Sequence, residues 1–166
     1  QSYAEPFAVV DSMDEVARAV APHLPVDAVV QTDAITEGRL IEQPHTLEIE
    51  AGLQGSTAAA DNAYWVTRAF LAATGVLAVP AADGVVDAGG REAVPVFRLH
   101  ERIPKPAATE YEVFAHNFER VEAGERFATA DGEPVRAETD FYPVLLSAEG
   151  YRDQFGYVAE RVGVLE

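Results

Sequence analysis

The stretch Thr46-Leu47-Glu48-Ile49-Glu50-Ala51-Gly52 sets two carboxylates one residue apart and then breaks on glycine. In an extended strand, side chains two apart share a face, so Glu48 and Glu50 point one way and Leu47 and Ile49 the other. The two acids then stand roughly 6.5 Å apart along the strand. That spacing suits acid–base work, and a strand end is where many α/β enzymes place a catalytic group. A solvated strand face accounts for the same two acids equally well, and the alternation by itself does not choose.

Other chemistry finds less support. Histidines stand at positions 23, 45, 100 and 116, with no His-x-x-x-His pair. His45 with Glu48 and His116 with Glu119 have His-x-x-Glu spacing, but both pairs fall in or beside extended segments. Residues three apart on a strand face opposite sides and cannot share one metal. No Gly-x-Ser-x-Gly is present for a serine nucleophile. Gly89-Gly90 has no helix after it to form a phosphate loop. Cysteine is absent, which excludes disulfides and thiolate chemistry.

The charge balance narrows the partners. There are 28 acidic residues against 12 basic ones, a net charge of −16. Neutralising a phosphate backbone needs a basic footprint, so nucleic acid is excluded as a partner, and anionic membrane surfaces with it. Lys105 is the sole lysine; the other cations are arginines. An acidic, lysine-poor surface is expected of a protein kept soluble in concentrated salt, where charge repulsion is screened. No run approaches the roughly 18 apolar residues that span a bilayer, and the N-terminus has no signal-peptide pattern. A cytoplasmic location is expected. The chain starts on Gln1 rather than methionine, as a processed product or a piece of a longer protein would.

The elements that must hold these residues are readable in outline. Residues 6–10 read as a buried strand, and Ser12-Met13-Asp14-Glu15 as a capping box with Ser12 at the cap. Met13, Val16, Ala17 and Val20 follow at helical spacing up to Pro22. Residues 26–31 form a second strand, 32–44 a polar loop, and the two-glutamate stretch a third strand. Ser56 or Thr57 caps a helix over 58–74, with Ala63, Val66, Thr67, Phe70, Leu71 and Thr74 facing inward and Gly75 ending it. Residues 1–79 therefore read as an α/β portion and 80–93 as a linker or exposed loop. Residues 94–166 read as a β-rich domain, with strands over 94–99, 110–115, 126–130, 134–137 and 141–147. Asp131-Gly132 marks a hairpin turn, and Pro143 an edge or bulge. The hairpin region is similar to the repeats of biotinyl and lipoyl carrier domains. Those need a lysine at the tip, and Lys105 is far from it, so a carrier role is excluded.

Three stretches in one order carry a stronger likeness. Residues 47–55, LEIEAGLQG, resemble the strand and turn bearing the catalytic glutamate of the succinylglutamate desuccinylase/aspartoacylase family, a branch of the zinc carboxypeptidase fold. Residues 116–135, HNFERVEAGERFATADGEPV, look like that family's C-terminal β-domain, and 141–157, FYPVLLSAEGYRDQFGY, resemble the segment closing it. The likeness covers most of residues 30–160. It implies an α/β fold: a partial carboxypeptidase-like domain followed by a small, mostly-β C-terminal domain.

Family enzymes hydrolyse the amide of an N-acyl amino acid with one zinc, which polarises the carbonyl and activates water. In the family motif the general-base glutamate precedes one residue and then glycine, which selects Glu50. Tyr151 matches the tyrosine that binds a substrate carboxylate, and Arg39 lies near the family's substrate-binding arginine once a gap is allowed. The family's zinc-binding His-x-x-Glu and further histidine would precede this chain, and its Asn-Arg motif is missing. The likeness thus implies the C-terminal half to two-thirds of a deacylase, with zinc in the parent enzyme and no metal ligand or activity expected in this chain alone. The alternative is a metal-free binding or regulatory protein that keeps the fold. A small N-acyl amino acid is the expected partner, with self-association through uncovered apolar faces.

Overall fold

The computed structural model describes residues 3–33, 35, 40, 41, 43–78 and 93–166. Arg39, and all of the expected 80–93 loop except its last residue, lie outside the described residues. In chain order the elements are β1 (Phe7–Val10), α1 (Glu15–Val20), a 3₁₀ turn at Ala21–His23, β2 (Val29–Gln31), β3 (Glu48–Glu50) and α2 (Thr57–Ala73). They continue as β4 (Val94–Pro104), β5 (Tyr111–Val113), β6 (Arg126–Ala130), β7 (Glu133–Arg136), β8 (Tyr142–Val144) and β9 (Gln154–Leu165).

Six strands form a main sheet in the order β3-β1-β2-β4-β9-β8, and β5-β6-β7 form a second, smaller sheet. β1, β2 and β4 run parallel, whereas β3, β9 and β8 each join antiparallel to a neighbour. The α/β portion and the β-rich portion thus share the main sheet, because β4, β8 and β9 all add to it. The separate β-lobe is confined to the chain between β4 and β8. β9, a strand of 12 residues, is not foreseen from its sequence. Gly156, Gly163 and the Glu160-Arg161 pair interrupt its alternation, and its second half is exposed.

Alternation assigns the two sheet faces. Ala8, Val10, Val29 and Val96 meet Ala17 and Val20 of α1 and Val66 and Ala69 of α2 on one face, with Leu47 and Ile49 packed against them. Phe7, Val30, Phe97 and Leu99 point to the other face, where they meet Val144, Tyr157 and Ala159. A third cluster under the β-lobe is built from Ile103, Val121, Phe127, Phe141, Leu146 and Phe155. Each buried aliphatic or aromatic side chain contributes about 1.5–3 kcal/mol, so the three clusters together fix the layers.

Local details depart from expectation in two places. Asp14, not Ser12, caps α1: its Oδ1 accepts the Ala17 amide at 2.8 Å. A carboxylate has a second oxygen, and that oxygen accepts the His45 amide at 3.1 Å and lies 3.0 Å from the His45 ring. One serine hydroxyl would serve the helix and leave the chain leading to β3 untied. The stripe expected on α2 is also too wide. Val66 and Ala69 are buried, while Ala63, Thr67, Phe70 and Thr74 are exposed. Only a narrow, small-residue face of the helix meets the sheet, and Tyr64 and Trp65 stack edge-to-face on the outside. Ser56 caps α2 through Ala59, as the sequence implies. The hairpin turn has positive φ at both Asp131 (48°) and Gly132 (82°), the conformation that a two-residue turn between twisted strands requires.

Candidate functional site

Glu50 closes β3, the strand at one edge of the main sheet. It stands opposite Phe7, and Glu48 stands opposite Val9. Both acids are therefore on the Phe7 face rather than the helix face. The two differ in setting: Glu48 is exposed and Glu50 is half-buried. Gly52 shapes the turn after Glu50. Its φ is 131°, and a Cβ there would stand 2.6 Å from the Ala4 carbonyl oxygen. Only glycine permits that approach of the post-β3 turn to the segment before β1.

Tyr151 arrives from the opposite edge. Its loop joins β8 to β9 and folds back so that the ring packs on the cluster containing Phe7, Val30 and Tyr157. The Tyr151 and Tyr157 rings are perpendicular, with centroids 6.1 Å apart. Burial pushes the Tyr151 hydroxyl up to about 12; the neighbouring Tyr157 and then the Glu50 carboxylate add to the rise. A negative charge on Glu50 opposes loss of the phenolic proton because the two groups share one low-dielectric face. Tyr151 consequently stays a protonated donor throughout the neutral range. Among the described residues, neither the Glu50 carboxylate nor the Tyr151 hydroxyl has a hydrogen-bond partner.

The loop carrying Tyr151 is tied down by groups that the sequence alone does not single out. Ser147 Oγ accepts the amides of Glu149 (3.2 Å) and Gly150 (2.9 Å). Buried Asn117 accepts the Leu146 amide through Oδ1 at 2.7 Å. Lys105 Nζ donates to the carbonyls of Ala148 and Tyr151, each at 2.6 Å. Asn117 lies in the stretch HNFE, where the neighbouring histidine and glutamate draw the eye, yet the asparagine is the buried one.

A second polar group gathers beside the ends of β1 and β2. Gln31 Nε2 donates to Asp33 at 2.6 Å, Arg98 Nε lies 2.8 Å from the other Asp33 oxygen, and His100 Nε2 lies 3.2 Å from Glu160. These pairs are substantially exposed and contribute little to stability. His45 is engaged with Asp14, whose carboxyl is held below its usual range chiefly by the Ala17 amide. Among the described residues no group of three or more His, Asp or Glu side chains converges to hold a metal ion. The described residues therefore offer a zinc ion no fitting set of ligands. No described helix is long and apolar enough to cross a membrane.

No family model matches the chain, and no curated protein matches it by sequence. Solved structures do match in shape. Succinylglutamate desuccinylase from Vibrio parahaemolyticus superposes with a TM-score of 0.58 at 16% identity, covering 98% of this chain and 51% of that one. Murine aminoacylase 3 gives a TM-score of 0.66 at 13% identity, over 99% and 61%. The ectoine utilization protein of Ruegeria pomeroyi gives 0.62 at 16% identity, over 99% and 54%. The chain spans about half to three-fifths of the length of these relatives. Its fold, from the six-stranded mixed sheet to the small β-lobe, is that of succinylglutamate desuccinylase/aspartoacylase-type deacylases over that share of their length.

Proposed function

We propose that this chain supplies the proton-transfer and carboxylate-recognition part of a deacylase acting on the amide of an N-acyl amino acid. The observation that carries the reading is the pairing of Glu50 and Tyr151 on one sheet face, close enough that the Glu50 charge disfavours ionisation of the tyrosine. Glu50 accepts a proton from the attacking water and returns it to the amine that leaves, so the carboxylate is regenerated. Tyr151 donates its hydroxyl hydrogen to the substrate carboxylate, and Arg39 adds a cation to the same group. Metal chemistry of the kind known for the zinc carboxypeptidase fold would rest on ligands from a further part of the parent protein; no step through a metal is derived from these residues.

In the parent protein, Glu50→Gln should lower turnover by about 10²–10⁴-fold, the usual worth of a positioned base, with zinc content unchanged. Near-normal turnover would refute the assignment. The chain by itself should neither hydrolyse N-acyl amino acids nor retain zinc after dialysis; one zinc per chain by atomic emission would overturn that part. A second reading is a binding protein that keeps the fold without catalysis. It is favoured by the Tyr151 hydroxyl, which is held protonated and can bind an anion with no metal beside it. Saturable calorimetric binding of an N-acyl amino acid, with no turnover by the parent protein, would select it. The outer face of α2, with Tyr64 54% and Trp65 45% exposed, is the surface through which self-association is expected. A monomer by light scattering would count against that expectation.

A further inference from the structure

The chain's one lysine sits where a point cation is needed. Lys105 lies between Pro104 and Pro106 at the end of β4, and the following proline restricts it to extended backbone. Its amide donates to the Asp153 carbonyl at 3.0 Å, which aims the side chain along the loop that joins β8 to β9. The ammonium then meets the Ala148 and Tyr151 carbonyls, each at 2.6 Å. It also lies 4.7 Å from the centroid of the Tyr111 ring and 5.6 Å from that of Phe155. Tyr111 is itself fixed, since its hydroxyl donates to the carbonyls of Pro106 (2.8 Å) and Ala108 (3.2 Å).

This arrangement asks for a compact, tetrahedral donor. Two carbonyls take two of the three N–H bonds, and the ring faces stabilise the charge that remains. A guanidinium is planar and wider, and its donors point along a fixed fork, so it does not reproduce these directions. The eleven arginines of this chain occupy the other cationic positions.

We infer that Lys105 is a positioning residue for Tyr151: by holding the carbonyls of residues 148 and 151 it sets where the Tyr151 hydroxyl stands relative to Glu50. It touches neither hydroxyl nor carboxylate and acts only through the loop backbone. The value of that position for substrate rests on the proposed role of Tyr151 in carboxylate recognition; the positioning itself does not.

The experiment uses the full chain with ¹³C-labelled tyrosine rings, with Tyr151→Phe to identify the Tyr151 signal. In the wild type this signal should remain that of a protonated phenol at about pH 11, halfway between the ordinary midpoint of 10.0 and the raised one. Lys105→Met, which keeps length and loses the donors, should move the midpoint down toward 10.0, and Lys105→Arg should fail to restore it. A folded Lys105→Met chain with an unmoved Tyr151 midpoint overturns the inference.

Should Lys105→Met not fold, the unaltered chain decides. Labelling with ¹⁵N-lysine gives one ammonium signal, which should persist against solvent exchange and show contacts to the Tyr111 and Phe155 rings. A rapidly exchanging ammonium without those contacts is the overturning result. Adding N-acetylaspartate or succinylglutamate separates the two claims. If Lys105→Met shifts Tyr151 but neither compound perturbs its signal, Lys105 keeps its positioning role and the recognition role of Tyr151 falls.

Discussion

Glu50 and Tyr151 are brought to one face by opposite means. Glu50 is placed by backbone: three residues of β3 pair with β1, and Gly52 lets the chain turn against the Ala4 carbonyl. Tyr151 is placed by side chains: Lys105, Asn117 and Ser147 each bond the backbone of the loop that bears it or of its approach. A backbone-placed group tolerates changes in most of its neighbours and fails at the one residue whose conformation is special. A side-chain-placed group fails at several points, each by a smaller amount.

The largest effect should come from Gly52→Ala. The added Cβ meets backbone at 2.6 Å, and φ of 131° is strained for alanine, so a loss on the order of 3 kcal/mol is expected in urea unfolding. If the loss is under about 0.5 kcal/mol, the surface-substitution range, the contrast between the two modes breaks. Next is Asn117→Ala, which leaves the buried Leu146 amide without its acceptor and should cost about 2 kcal/mol. Its effect should reach the Tyr151 signal and leave the β3 amides in place, by exchange of backbone hydrogens.

Asp14→Ala should cost about 1 kcal/mol, the usual worth of a helix cap. Because the Asp14 carboxyl is held below its ordinary 3.8, its contribution is present above that value and is lost as the pH falls through the folded-state value. The mutant and wild-type unfolding curves should therefore converge in acid. Smallest is Tyr151→Phe. A folded-state midpoint raised from 10.0 to about 12 makes a contribution that is full below pH 10 and is lost as the pH rises toward 12. The phenylalanine variant lacks that alkaline dependence, which unfolding curves across the window would show.

The parts of this molecule that follow local rules were readable in its sequence. Alternation placed Leu47 and Ile49 in the core beneath β3, and Ser56 announced α2. Asp131-Gly132 announced the hairpin. The second face of β3 was not readable, because the side chains that cover it arrive from residues about a hundred positions later. Spacing alone left Glu48 and Glu50 equivalent; the difference in their burial comes from tertiary packing. The same holds for Lys105, which looked like an isolated cation between prolines. Its bonds run to residues 43 and 46 positions away, a span over which no sequence period operates.

The long pairing of β4 with β9, from Val94 opposite Leu165 to Pro104 opposite Gln154, also bears on the order of assembly. The two strands form a hairpin whose turn has been replaced by the β-lobe and β8, so its ends meet only after the whole of residues 105–153 has been synthesised. Closing such a loop from an unfolded chain is costly in entropy and slow. If the lobe condenses first, it brings Pro104 and Gln154 together and leaves only a zipper to run from that end toward Val94. The lobe then serves as nucleus, and the main sheet, begun first in synthesis, is completed last.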